Sequence, residues 1–168
     1  SQSTHASPLP RYYHSACKCG QWMVVHGGRN SQVYNDTWFF DMKLKKWALF
    51  KINGEISGRY GHKSFCLDNG YLIFIGGCDD KKEILKPLVL NATKDKEWCY
   101  EEFKIGGNLP STLFLFGLSY SYGNKFHLLG GIDPFTFESM SNNFFSVKVP
   151  DSIVKDTTKK GKSLVPLE

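Results

Sequence analysis

Three times along the chain a run of apolar residues closes on a pair of glycines. The runs are Trp22 to His26 before Gly27 and Gly28, Tyr71 to Ile75 before Gly76 and Gly77, and Lys125 to Leu129 before Gly130 and Gly131. Each reads as almost continuously apolar rather than alternating, which predicts a strand buried on both faces. In an antiparallel protein such a strand needs a sheet sandwiched between two others. The glycines then end each strand at positive φ or where backbones approach closely. The doublets lie 49 and 54 residues apart, so the chain reads as an internal repeat.

The first unit is the most complete. Strands are expected at His14 to Cys19, Gln21 to His26, Asp36 to Met42 and Lys46 to Ile52. Turn signals separate them at Gly20, at Gly27 and Gly28 with Asn30 and Ser31, and at the polar stretch Lys43 to Lys46. Four short strands with such turns make one antiparallel sheet. The second unit has its third strand at Pro87 to Asn91, and in the third unit Asn142 to Phe145 echoes Asn35 to Trp38 of the first.

Composition narrows the class. With 41% hydrophobic and 22% charged residues over 168, the chain has room for one globular domain with a sizeable core. Aromatics at 15% and 16 glycines favour strands and tight turns over helices. The net charge of +5 sits largely in Lys43 to Lys51 and Lys155 to Lys162, which read as a solvated turn and tail. A nucleic-acid surface would need a basic face interleaved with exposed aromatics, so no nucleic acid is expected as partner. No apolar run approaches the ~18 residues of a membrane span, and Ser1 to Pro10 lacks the apolar core of a signal peptide, so no membrane association is expected. The five cysteines, Cys17, Cys19, Cys66, Cys78 and Cys99, are odd in number and irregularly spaced. They read as reduced thiols in a cytoplasmic protein.

Particular motifs carry a family resemblance. Pro10 to Ala16 (Pro-Arg-Tyr-Tyr-His-Ser-Ala), the Gly27 and Gly28 doublet, Asn35 to Asp41 (Asn-Asp-Thr-Trp-Phe-Phe-Asp) and Trp47 resemble a nearly complete kelch repeat. The Arg-x-x-His-Ser and Asn-Asp-x-Trp forms are similar to the subtype of host-cell-factor-like, Rab9-effector-like and plant specifier-type kelch proteins. The second unit keeps Gly58 to Ser64, Gly76 and Gly77, and Trp98, without Asn-Asp-x-Trp. In the third, Leu113 and Phe116 stand where the Arg and His would be. The doublet spacing is near the roughly 50-residue kelch period. The resemblance implies an all-β fold of about three kelch blades, four-stranded antiparallel sheets forming a partial β-propeller. The expected layout is an extension at 1–9, repeats at about 10–57, 58–109 and 110–150, and a tail or displaced last strand at 151–168, with Ser163 to Leu167 as that strand.

Propellers close rings of four to eight blades, so three blades should leave apolar faces bare at both ends. Three settings remain: a piece of a six-blade propeller, self-association that closes a ring, or pairing with missing blades on another chain.

Candidate chemistry is sparse. His5, His14, His26, His62 and His127 do not fall in the short Cys/His pairs of a zinc site, and Cys17-x-Cys19 is too tight, so neither metal nor cofactor is expected. His14 and His62 occupy matching repeat positions and suggest a repeated structural hydrogen bond. Arg11 and Arg59 also match, either buried against a neighbouring blade or forming a polar ring at the channel mouth. In related propellers such a ring contacts acidic or phosphorylated peptides, which guanidinium groups suit. Trp38, Trp47 and Trp98 read as packing anchors, and Asn91-Ala92-Thr93 is a glycosylation sequon in form only. The loops Arg29 to Tyr34, Cys78 to Lys86 and Ile132 to Ser141 each follow a doublet and should emerge on one face. The candidate partner-binding residues are Arg11, Arg59, Arg29, Tyr34, Asp79, Asp80, Phe135 and Phe137. The expected function is a non-enzymatic module of a larger protein, presenting these loops to a protein or peptide. The alternatives are a metal-dependent enzyme or specifier-type kelch protein, or a half-propeller that self-assembles.

Overall fold

A computed structural model describes residues 7–50, 52–91, 98–105, 110, 112–121 and 124–154. Strands dominate them, in three separate sheets. Blade 1 comprises β1 (Ser15–Cys19), β2 (Trp22–His26), β3 (Thr37–Asp41) and β4 (Lys46–Leu49), hydrogen-bonded in that order and antiparallel throughout. The next strand, β5 (Ile52–Asn53), does not continue β4 as the sequence suggested. Phe50 turns into the space between sheets, 4.9 Å from Phe39 and 4.6 Å from Trp98 between ring centroids. Burying that ring draws the chain onto the outer strand of the next blade, where Ile52 and Asn53 pair in parallel with Trp98 and Cys99.

Blade 2 comprises β6 (Lys63–Cys66), β7 (Leu72–Ile75), β8 (Leu88–Asn91) and β9 (Trp98–Glu102), with β5 as its fifth strand. All four residues of β7 are buried, as a strand covered on both sides must be. Leu72, Phe74, Leu88 and Leu90 pack with Trp22, Val24 and Phe39 of blade 1. Ile73, Ile75, Val89 and Phe65 pack with Phe126 and Leu128 of the third sheet. At about 1.5–3 kcal/mol per fully buried large apolar side chain, this double-sided strand is the main tie between the sheets.

Blade 3 comprises β10 (Gly117–Ser121), β11 (Lys125–Leu129) and β12 (Phe144–Lys148). Here the sequence expectation fails. Within β11 only Phe126 and Leu128 are buried, while Lys125 and Leu129 are exposed. The run is half-buried, not double-sided. The sheet's outer face carries Ser119, Ser121, Lys125, His127, Ser146 and Lys148, so it is not the bare apolar end that three blades seemed to require. A short helix, α1 (Asp151–Val154), follows, with Ile153 and Val154 against the blade 2–blade 3 core. The suggested strand at Ser163 to Leu167, like His5, lies outside the described residues.

Cys19 and Cys66 are joined as a disulfide across blades 1 and 2, with Cα atoms 5.4 Å apart, so these two are not the free thiols expected. Asn91 is buried in β8, which removes it as a glycan acceptor.

Candidate loop-end binding site

The same device is built at the glycine-doublet end of all three blades. The residue two places after the repeat's Arg position adopts the left-handed conformation: Tyr13 (φ 56), Gly61 (φ 73) and Leu115 (φ 53). For Tyr and Leu this costs roughly 1 kcal/mol each, and cross-blade bonds hold it. Gly61 N–H donates to Tyr13 C=O at 2.8 Å, and Leu115 N–H donates to Gly61 C=O at 3.0 Å. A second series runs the other way, Gly28 N–H to Arg59 C=O at 2.8 Å and Gly77 N–H to Leu113 C=O at 2.7 Å. Leu113 therefore does occupy the Arg position that counting back from Gly130 assigned to it.

Each loop then starts on the neighbour of this turn. Tyr12 pairs with Arg29 and Tyr60 with Cys78, while Ile132 N–H donates to Phe114 C=O at 3.0 Å. The three loops share one end of the molecule, and the aromatic residues of the turns beside them meet there with Phe137. The Tyr13 ring stacks on Tyr60 at 6.4 Å and meets the Phe114 ring at 6.2 Å. Tyr12 stands edge-on to Tyr13, and Phe137 edge-on to Phe114 at 6.0 Å. Tyr60 and Phe114 are buried as the floor, whereas Tyr12, Tyr13, Phe135 and Phe137 are exposed.

Two cations border this shelf. The Arg29 guanidinium lies 4.8 Å over the Tyr60 ring, and the Lys82 ammonium lies 5.5 Å over Phe137. Neither joins an ion pair among the described residues, and the buried Nε of Arg29 has no hydrogen-bond partner there. Beneath them, burial and then the Cys78 contact push the Tyr60 phenol up to about 12. Burial also raises the Cys78 thiol, so both stay neutral near pH 7. The chemistry on offer is therefore aromatic contact plus positive charge without a thiolate nucleophile.

The candidate residues divide by location. Arg29, Asp80, Phe135 and Phe137 lie on the loops, and Phe135 and Phe137 are exposed. Asp79 turns inward on its own loop, its Oδ1 accepting from Lys81 and Glu83 N–H at 3.0 Å each. Tyr34 is buried, with the Arg11 guanidinium 4.0 Å over its ring and its hydroxyl 2.6 Å from Asn30 Nδ2.

Arg11 and Arg59 are each bound within their own blade, not against a neighbouring one. The Arg11 side chain, 4% exposed, donates to both Asp36 oxygens and to Gly27 C=O. Asp36 also accepts from Trp38 Nε1 at 2.7 Å. Burial works against the Asp36 carboxylate, but these bonds outweigh it and hold the carboxyl below its usual range. Arg59, 3% exposed, donates to the carbonyls of Gly76 and Lys86. Blade 2 has Lys86 where blade 1 has Asp36, so this guanidinium lacks a carboxylate; burial lowers it to about 10.

Tyr12, Tyr13, Tyr60, Phe114 and Lys82 were missed as site residues. The available signal was the tyrosine following the repeat arginine in both of the first two units. Among the described residues, no three of His, Cys, Asp and Glu converge as metal ligands, and no helix is long and apolar enough to cross a membrane.

Comparisons with known proteins agree with this architecture. A family profile described as the KLHDC2/KLHL20/DRC7 Kelch-repeats domain matches residues 1–131. A putative adagio-like protein 2 of Oryza sativa subsp. japonica is 37% identical over 68 residues, covering 38% of this chain and 11% of that protein. Human host cell factor 1 is 26% identical over 126 residues, covering 74% of this chain and 6% of that protein. The chain thus spans 11% or less of the length of these relatives.

Proposed function

This chain belongs to the KLHDC2/KLHL20/DRC7 kelch-repeat family, and we propose that it is a non-catalytic interaction module holding a protein or peptide at its glycine-doublet end. The observation that supports this reading is the shelf of Tyr12, Tyr13 and Phe137 over Tyr60 and Phe114, bordered by Arg29 and Lys82 without carboxylate partners. An exposed aromatic surface contributes contact area at low side-chain entropy cost, and an unpaired guanidinium selects a carboxylate or phosphate. The partner is accordingly a peptide segment that places an acidic group beside an apolar side chain.

Selection from a random displayed-peptide library, followed by fluorescence anisotropy on the selected sequences, tests it. Selected peptides should be enriched in Asp or Glu next to an apolar residue. A charge-assisted hydrogen bond contributes about 1.5–3 kcal/mol, so Arg29→Ala should weaken binding at least about tenfold. Phe137→Ser should weaken it as well, with the melting curve of each variant as the folding control. Peptides whose affinity ignores both substitutions would sink the assignment of this end as the binding face.

A further inference from the structure

The blades repeat in how each one receives the blade before it. Blade 2 turns Leu72, Phe74, Leu88 and Leu90 toward blade 1, with Phe74 opposite Leu88 and Leu72 opposite Leu90. The same positions in blade 3 are Phe126, Leu128, Phe145 and Val147, which join the core shared with blade 2. In blade 1 they are Met23, Val25, Trp38 and Phe40, with Val25 opposite Trp38 and Met23 opposite Phe40. Trp47 and Leu49 extend this apolar face, and no sheet lies against it among the described residues. Trp38, pinned by Asp36 and edge-on to Trp47, is buried with Val25; Met23, Phe40 and Trp47 are half-buried, and Leu49 is 55% exposed.

Three polar groups accompany that face. The left-handed residue's N–H and the Arg-position carbonyl bond to the preceding blade in both blades 2 and 3, as described above. In blade 2, His62 Nε2 also meets Ser15 Oγ of blade 1 at 2.8 Å. In blade 1 the corresponding groups are Tyr13 N–H, Arg11 C=O and the exposed His14, and none has a hydrogen-bond partner among the described residues.

The other end of the stack is built differently. The central cross-strand row that meets the following blade is Cys17, Val24 and Phe39 in blade 1, and Phe65, Ile73 and Val89 in blade 2. In blade 3 this row is Ser119, His127 and Ser146, and the adjacent row is Ser121, Lys125 and Lys148. Only Leu129 and Phe144, at the loop end, are large apolar side chains on that face. That face lacks the apolar central row through which blades 1 and 2 meet the blade after them.

We infer that further blades join this stack through blade 1 alone. The occupant of that face is a preceding kelch-type blade. It supplies an apolar sheet, a left-handed residue's carbonyl for Tyr13 N–H, a glycine N–H for Arg11 C=O and a hydroxyl for His14. A second copy of this chain packed head to tail does not qualify. It would press Ser119, His127, Ser146 and two lysines onto the face of Met23, Val25, Trp38 and Phe40, removing their hydration without replacing it. This inference is independent of the loop-end binding reading.

Blade 1 itself carries the required complement in Tyr13 C=O, Gly28 N–H and Ser15 Oγ, so a duplicate of residues 10–57 serves as the probe. It is fused ahead of Ser1 in one extended chain and after Glu168 in another, and amide exchange is followed by NMR. In the unextended chain, the Tyr13 amide should exchange at least about tenfold faster than those of Gly61 and Leu115. The leading copy should slow Tyr13 at least about tenfold and raise Tm. The trailing copy should leave Tyr13, His127 and Ser146 exchange and Tm unchanged. Unchanged Tyr13 exchange with the leading copy overturns the inference, as does equal docking of the trailing copy. So does a leading copy that proteolysis removes while the rest persists.

Discussion

Acidification from pH 7 to pH 5 should lower the stability of this protein through two histidines at the interface of blades 1 and 2. His26 is wholly buried and His62 nearly so, with their rings 5.3 Å apart. His26 Nδ1 meets Thr37 Oγ1 at 2.7 Å and His62 Nε2 meets Ser15 Oγ at 2.8 Å, while the other nitrogen of each ring has no partner. A proton added there would sit buried beside Arg59 with no acceptor. Burial first, and Arg59 next, hold His26 down at about 3 against an ordinary 6.5. Burial and then His26 and Arg59 depress His62 in the same direction.

Because both folded values lie below the unfolded one, the unfolded chain binds more protons. Stability is complete above about 6.5 and falls as pH drops toward the folded values. For His26 alone, that shift removes about 2 kcal/mol at pH 5, and His62 adds to it. The urea midpoint, read from tryptophan fluorescence, should then fall by about 1 M or more for m near 2 kcal/mol/M. Asp36, held below 3.8, loses its contribution only under that range and leaves the pH 5–7 window to the histidines. His26→Gln should flatten the slope by about one proton. A midpoint unchanged between pH 7 and 5, or an unchanged slope in the His26→Gln, His62→Gln double variant, would refute the reasoning.

Other substitutions probe separate parts of the architecture. Asp36→Ala leaves the buried Arg11 guanidinium with carbonyl acceptors only, and should cost about 3 kcal/mol in urea denaturation; a loss under about 1 kcal/mol would show the pair to be incidental. At Gly76 (φ 65) an added Cβ meets Leu113 C=O at 2.5 Å, whereas at Gly20 (φ 58) it meets nothing within 4 Å. Gly20→Ala should therefore cost only about 1 kcal/mol, while Gly76→Ala costs several times more or prevents folding; equal melting temperatures would contradict the packing described. A thiol assay on the unfolded, unreduced protein should find three free groups, Cys17, Cys78 and Cys99. Five would mean that Cys19 and Cys66 are not joined. Reduction of that bond, whose ends are 47 residues apart, should cost up to about 4 kcal/mol by chain entropy.

What was legible from sequence is what the repeat geometry enforces locally. The doublets Gly27–Gly28 and Gly76–Gly77 are required by backbone contact with the adjoining turn or blade, so they persist where other motif residues have drifted. The hydrogen bond expected at the repeat histidine is made by His62 with Ser15, whereas exposed His14 makes none among the described residues. The blade 3 counterpart of His62 became Phe116 where Lys63, not a serine, stands at the Ser15 position. Position within the repeat does not say which sheet a side chain will face. The run Lys125 to Leu129 looked continuous because Leu129 follows Leu128, yet Lys125 and His127 mark an alternating strand. Arg59 matched Arg11 in sequence, but the place of its carboxylate partner is held by Lys86, far along the chain. The Cys19–Cys66 pair bridges non-equivalent repeat positions, which spacing alone does not bring together.

The parallel pairing of Ile52 and Asn53 with Trp98 and Cys99 also bears on solubility. An open edge strand is a template on which other chains add strands, and this short segment occupies the edge that β9 would otherwise present. Among the described strands, β4, β12 and the two-residue β5 lie at the outer ends of their sheets, and the two longer ones carry Lys46 and Lys148. Lysine on an edge opposes stacking by charge repulsion. Fibril formation should therefore start from β4 or β12 rather than β9, and should accelerate when those lysines are neutralised or the salt concentration is raised.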